Sequence, residues 1–203
     1  MWSSKKKADT SIQGLPFYIR KDTFLKADGK WKAAYILSAF LVIGMLCMIF
    51  CFSAADATHS SHLSEGVCIR IVREVSSVFP EQFPKERMLE IAAIIEFPIR
   101  KCAHFSEYAV LSITVNLYLW VCFRIERLLG AKKWKIFFRA EVFCALYACS
   151  DELHQYFVPG RSCRFFDVCV DSTGAFFGAL LFWGIYFYLS KRKRQEIFRV
   201  DGC

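Results

Sequence analysis

Apolar residues fall in four runs long enough to cross a hydrocarbon core, which takes about 20 helical residues. They cover residues 33–53, 102–122, 136–157 and 168–190. The first, AAYILSAFLVIGMLCMIFCFS, has no charged residue. The third is the weakest, because Arg139, Glu141, Asp151, Glu152 and His154 interrupt it. The pattern predicts an all-α polytopic membrane protein with four transmembrane helices. A leader spans 1–32, the membrane domain 33–190 and a tail 191–203.

The long connection at 54–100 carries a different period. Residues 54–64 (AADATHSSHLS) are small and polar and read as a flexible loop. Val67, Ile71, Val75 and Val78 then recur at helical spacing opposite Arg70 and Arg73, which predicts an amphipathic helix. A second amphipathic run at 85–97 follows, with Pro98 expected to close it. Both runs are too charged and too short to span, so they are expected to lie along the outer surface or to dip in beside the bundle, a simple cap on its outer end being the alternative.

Charge sets the orientation. The net charge of +8 is concentrated before the first run (Lys5, Lys6, Lys7, Lys30, Lys32), between the second and third (Arg124, Arg127, Lys132, Lys133, Lys135), and after the fourth (Lys191, Arg192, Lys193, Arg194). The 54–100 connection mixes both signs. The positive-inside rule then places both termini in the cytoplasm and two loops outside a plasma membrane. Basic residues used this way determine topology and argue against a nucleic-acid partner. A secretory leader is also disfavoured, because the 33–53 run is longer than a signal-peptide core and reads as an uncleaved anchor.

Ten cysteines show no Cys-x-x-Cys spacing. Cys68 and Cys163 are the two expected outside, as free thiols or as a disulfide. His59 and His62 are three apart in the loop and read as solvated rather than metal-binding.

The informative residues lie where charge enters the apolar runs, since an ionisable group in a span marks function by default. At 100° per residue, Lys101, His104 and Tyr108 share one face of the second span, with Glu107 beside it. Asp151 and Gln155 are neighbours at i, i+4 on the third span, with Glu152 and His154 flanking them. On the fourth, Asp167, Asp171, Gly174 and Gly178 form one stripe, two acids followed by a Gly-x-x-x-Gly packing surface. All of these lie at the outer ends of their helices, with Arg161 and Arg164 in the hairpin above. The expected result is a mixed-charge cup at the outer membrane boundary. A plain structural clasp between helices is the alternative reading, although a clasp needs fewer groups than this.

The series Lys101, His104, Phe105, Tyr108; Asp151, Glu152, Gln155; Pro159, Gly160, Arg161; and Asp167, Val168, Asp171, Gly174, Gly178 resembles the motif of the VanZ-like family of bacterial membrane proteins. Asp171 stands where many relatives carry Asn. The resemblance implies a cell-envelope role in susceptibility to teicoplanin, a lipid-tailed glycopeptide antibiotic. It names a process rather than a reaction, so two classes stay open. As a binding protein, Lys101, His104, Tyr108, Gln155 and Arg161 would hold a membrane lipid headgroup, a lipid-linked cell-wall precursor or the lipoglycopeptide. As an intramembrane hydrolase or transferase on a lipid-linked substrate, His104, Asp151, Glu152, Asp167 and Asp171 would supply acid, base or nucleophile. Transport is a third, weaker class. No cofactor and no metal is expected, a divalent ion at His104, Asp151 and Asp167 being the lesser alternative. The oligomeric state is open.

Overall fold

The computed structural model describes residues 19, 21–55, 57–78, 85–126 and 133–200, the side chains of 57–63, 78, 85–86 and 197–200 excepted. The side chains of His59 and His62 therefore lie outside the described residues. Helices account for every regular element among those described: α1 (Lys21–Lys26), α2 (Gly29–Ala54), α3 (Ala57–Val78), α4 (Lys85–Ile125), α5 (Lys133–Tyr156) and α6 (Phe165–Val200). Three contain stretches long and apolar enough to cross a membrane: Gly29–Ala54, Arg87–Ile125 and Phe165–Glu196. The α5 run, broken by its charges, does not meet that measure.

The most extensive helix–helix contact is that of α4 with α6, and two glycines bring the pair close together. A Cβ placed on Gly174 would fall against the Phe105 carbonyl, and one on Gly178 against that of Ala109. Only a hydrogen side chain allows α6 to lie this close to the α4 backbone. Around this seam Tyr108, Leu111, Val115 and Leu119 of α4 meet Ala140, Cys144 and Ala148 of α5 and Ala175 and Trp183 of α6, with Ile49 of α2 closing the core.

The buried face of α5 runs Ile136, Ala140, Cys144, Ala148, Asp151, Glu152, Gln155. One stripe is small and apolar at one end and acidic at the other, so Asp151 and Glu152, two of the charges that break its hydropathy, point into the bundle.

Two expectations for the 54–100 connection are corrected. Pro98 does not close a helix: it sits inside α4, which is continuous over 41 residues. Proline removes one backbone hydrogen bond. The Glu96–Arg100 ion pair brackets it, and α3 packs along this stretch through Cys68, Val72, Met88, Ala92, Ile95 and Ile99, so tertiary contact overrides the local break. The loop expected over 54–64 is helical from Ala57, and that stretch contains neither glycine nor proline to prevent it. Cys68 and Cys163 do not form a disulfide. Both are free, Cys68 being buried between α3 and α4 while Cys163 is exposed.

Hydroxyls in the apolar helices bond their own backbone. Ser106 donates to the Cys102 carbonyl and Thr173 to that of Cys169, each at 2.7 Å, which removes the penalty of an unpaired group in lipid.

Candidate functional site

The C-terminal end of α2, the Lys101 region of α4, the C-terminus of α5 and the N-terminus of α6 meet at one end of the bundle. The α5–α6 hairpin turns at Pro159-Gly160. Gly160 takes a positive φ of 75°, a left-handed conformation that favours glycine. That turn folds Arg161 back over the helix ends. Its guanidinium donates to Gln155 Oε1 at 3.2 Å and to the Phe52 carbonyl at 3.4 Å. The second bond satisfies a carbonyl in the last turn of α2, where positive charge is favoured. Gln155 Nε2 in turn donates to Asp151 Oδ2 at 3.0 Å, so a relay runs from the hairpin into the bundle.

Across from it, Lys101 Nζ meets Asp167 Oδ1 at 2.6 Å, joining α4 to α6. Lys101 also lies over the Phe97 ring. His104 Nδ1 is 3.9 Å from Glu107 Oε2 and 3.9 Å from Asp171 Oδ1, near enough for ion pairing and too far for hydrogen bonds. Asp171 is 1% exposed, and neither of its oxygens has a hydrogen-bond partner among the described residues. A carboxyl group in that position costs several kcal/mol unless something compensates it, which makes it the most strained feature of the site. Tyr108 is fully buried beside it, and its hydroxyl is also unpartnered.

The site is therefore layered. An open cavity of about 260 Å³ is lined by Phe97, Arg100, Lys101, His104, Gln155 and Asp167, together with Gly160, Arg161, Ser162 and Arg164 of the hairpin. Beneath it lie Tyr108, Asp151, Glu152 and Asp171, all buried. His104 and Gln155 connect the two layers. Glu152 faces the hairpin: its Oε2 accepts the Arg164 backbone N–H at 2.9 Å, at the entrance to α6. His154 turns away, with its ring 4.7 Å from that of Phe50 on α2. Among the described residues no group of three or more His, Cys, Asp and Glu side chains is arranged to hold a metal ion.

Two features escaped the sequence reading. Phe97 and Arg100 line the cavity, and Pro98 concealed them by marking a helix end that does not exist. Deeper in the bundle, Trp183 Nε1–H donates to Asn116 Oδ1 at 3.0 Å, Asn116 Nδ2 donates to the Ser112 carbonyl at 2.9 Å, and Ser112 Oγ donates to Glu141 Oε1 at 3.1 Å. Ser112 and Asn116 continue the Tyr108 face inward at i+4 steps, and that periodicity was available in the sequence.

Fold and site together define a helical membrane protein with an ionisable cup at one end of its bundle. A model of the VanZ/LLP1 family matches residues 38–188, and the chain belongs to that family. No curated protein and no solved structure matches it.

Proposed function

We propose that this chain crosses the plasma membrane four times with both termini cytoplasmic. On that reading its extracytoplasmic cup binds a lipid headgroup, a lipid-linked cell-wall precursor or a lipoglycopeptide, and so modulates susceptibility to teicoplanin-type antibiotics. The fourth span is α5. Its outward face is Trp134, Phe138, Val142, Leu146 and Leu153, each more than 40% exposed in the isolated chain, while Asp151, Glu152 and Gln155 point inward. A helix that shows lipid its apolar side and keeps its acids for its neighbours spans despite a poor average hydropathy. The basic residues at the opposite end of the bundle support the orientation.

The observation that carries the binding reading is the convergence of Lys101, His104, Gln155 and Arg161, from two helices and a hairpin, on one cavity. In a host lacking relatives of this chain, expression lowers lipoglycopeptide susceptibility, and Lys101→Ala and Arg161→Ala return it to the level of the empty host. Unchanged susceptibility in both variants, at equal protein level, refutes the reading.

One observation favours an enzyme as the second reading. Asp171, buried with no hydrogen-bond partner among the described residues, faces His104 across 3.9 Å, the spacing of an acid/base pair that tightens when substrate binds. On this reading the chain is a hydrolase or transferase for a lipid-linked envelope substrate. Mass spectrometry of envelope lipids decides it: a species that changes with the wild-type chain and reverts with Asp171→Asn and His104→Ala means catalysis, and an unchanged lipid pool excludes it.

A further inference from the structure

The floor of the cup narrows the ligand. Asp171 is 1% exposed and Tyr108 is fully buried beside it. Neither carboxyl oxygen of Asp171 nor the Tyr108 hydroxyl has a hydrogen-bond partner among the described residues. The neighbouring acids are engaged: Asp151 accepts from Gln155 Nε2, Glu152 accepts the Arg164 backbone N–H, and Asp167 is ion-paired with Lys101. His104 Nδ1 stops 3.9 Å from Asp171 Oδ1, outside hydrogen-bond range. His104 also lines the open cavity, so Asp171 stands just behind the cavity wall. Three buried oxygens are left to accept, and burying them is costly unless donors meet them.

The donor that fits is a primary ammonium. It carries a compact positive charge and three N–H groups with no acceptor, the complement of two carboxylate oxygens and a hydroxyl. A quaternary ammonium has no N–H to offer and is held instead by aromatic faces. A divalent cation takes six or more oxygen ligands, several of them carboxylate, and among the described residues no three His, Cys, Asp and Glu side chains are arranged for an ion. Size limits what carries the ammonium. At about 260 Å³ the open cavity falls below the roughly 300–1,000 Å³ of sites that enclose drug-sized ligands, so it takes a headgroup and does not enclose a glycopeptide. Large aromatics stand exposed on both arms of the hairpin: Tyr156 at 66% and Phe157 at 74% on one, Phe165 at 81% and Phe166 at 59% on the other. Exposed aromatics beside a polar mouth belong at the depth of lipid headgroups.

We infer that the cup takes the primary ammonium of a lipid headgroup from the surrounding leaflet, passed by His104 to Asp171 and Tyr108, with the acyl chains left in the bilayer. The inference rests on the reading above that this end of the bundle is a binding site in a membrane. Any effect on a lipoglycopeptide is then indirect, through the lipid held.

The test uses the purified full-length chain in detergent micelles holding equal amounts of dioleoyl phosphatidylethanolamine and dioleoyl phosphatidylcholine, with native mass spectrometry of the lipid retained. The two lipids share their phosphate and acyl chains and differ in the methylation of the ammonium, so the comparison isolates that group. Phosphatidylethanolamine is retained in preference, and Asp171→Asn reduces that preference about tenfold, the loss of one charge-assisted contact. This variant keeps or raises the melting temperature of the parent, because it removes a buried carboxyl group that has no hydrogen-bond partner among the described residues. Tyr108→Phe keeps the ring beside that of Tyr147 and the parental melting temperature, and lowers the preference by a smaller factor. Equal retention of the two lipids, or an unchanged preference in either variant, overturns the inference. Loss of the preference in millimolar ethanolamine but not in choline assigns the floor to a soluble amine and overturns the lipid source. If lipid selectivity fails while Lys101→Ala still alters lipoglycopeptide susceptibility, the cup remains a binding site for another ligand. If both fail, the binding reading goes too.

Discussion

At the end of the bundle where α2 begins, Arg124 lies over the rings of Trp31 and Trp120, 5.2 and 5.8 Å from their centroids. Lys133 lies over Tyr186 and Phe187 at 4.7 and 4.8 Å. Tyr35, Tyr118 and Phe24 complete that aromatic cluster. At the other end Lys101, Arg161 and Arg164 line a cavity, with buried acids underneath. Both ends hold arginine and lysine at the edge of an apolar bundle. In one, those cations rest on neutral ring faces and hold helix ends together. In the other they line a cavity, Lys101 paired with Asp167, Arg161 bonded to Gln155 and Arg164 to Ser162, over a carboxyl group that has no hydrogen-bond partner among the described residues. Cavity volume alone would mislead here. A space of about 570 Å³ lies at the aromatic end, lined by Asp22, Lys26, Asp28, Trp31, Arg124 and Glu126 among others. It is larger than the cup, but its charges are mixed in sign and its arginine is committed to tryptophan. What separates an anchor from a site is uncompensated polarity rather than room.

The largest effect follows from the seam that holds the cup together. Gly174→Leu or Gly178→Leu drives a side chain into the α4 backbone at Phe105 or Ala109 and costs about 3 kcal/mol or more. Thermal unfolding in detergent reads the loss, and lipid retention at the cup falls with it. Gly44→Leu and Gly184→Leu, where an added Cβ meets open space, leave both unchanged. If the two pairs of glycines behave alike, the close α4–α6 approach is not what positions Lys101 against Asp167.

A smaller effect separates the cup from the polar network below it. Asn116→Leu deprives Trp183 Nε1–H of its acceptor inside the membrane, where such bonds contribute about 1 kcal/mol. Stability falls by that amount while lipid retention and lipoglycopeptide susceptibility stay at parental values. A loss of function larger than the loss of stability would make the network part of the site and erase the boundary between the two regions.

Much of the cup was legible because its residues repeat at helical spacing. Lys101, His104 and Tyr108 on one helix, Asp151 with Gln155 on the next, and Asp167 with Asp171 above the two glycines each predicted a face, and the structure brings those faces together. The turn at Gly160 was legible from the Pro-Gly pair. Hidden were the matters that depend on contact between segments distant in sequence. Pro98 ends a helix on local grounds, yet packing of α3 and the Glu96–Arg100 pair carry α4 through it. Glu152 is indistinguishable from Asp151 as a buried acid, but only the fold shows it holding the backbone of Arg164. The division of the cup into an open wall and a buried floor is likewise a property of helix depth and rotation, which a single-helix projection does not contain.

The smallest expected effect is the most direct contrast between the two ends. Arg124→Gln removes a cation that rests on two tryptophan faces. An exposed contact of this kind contributes about 0.5–1 kcal/mol, so the melting temperature drops slightly and retention of phosphatidylethanolamine is untouched. Asp171→Asn, at the cup, has the reverse signature: stability holds and retention is lost, because its carboxyl group is buried with no hydrogen-bond partner among the described residues and contributes little to folding. The two measurements on the two variants form a double dissociation that charge loss alone cannot produce, since each substitution removes one charge near a membrane face. If Arg124→Gln also weakened lipid retention, a general response of the bundle to lost charge would account for the effect at both ends, and the cup would lose its claim to be a defined site.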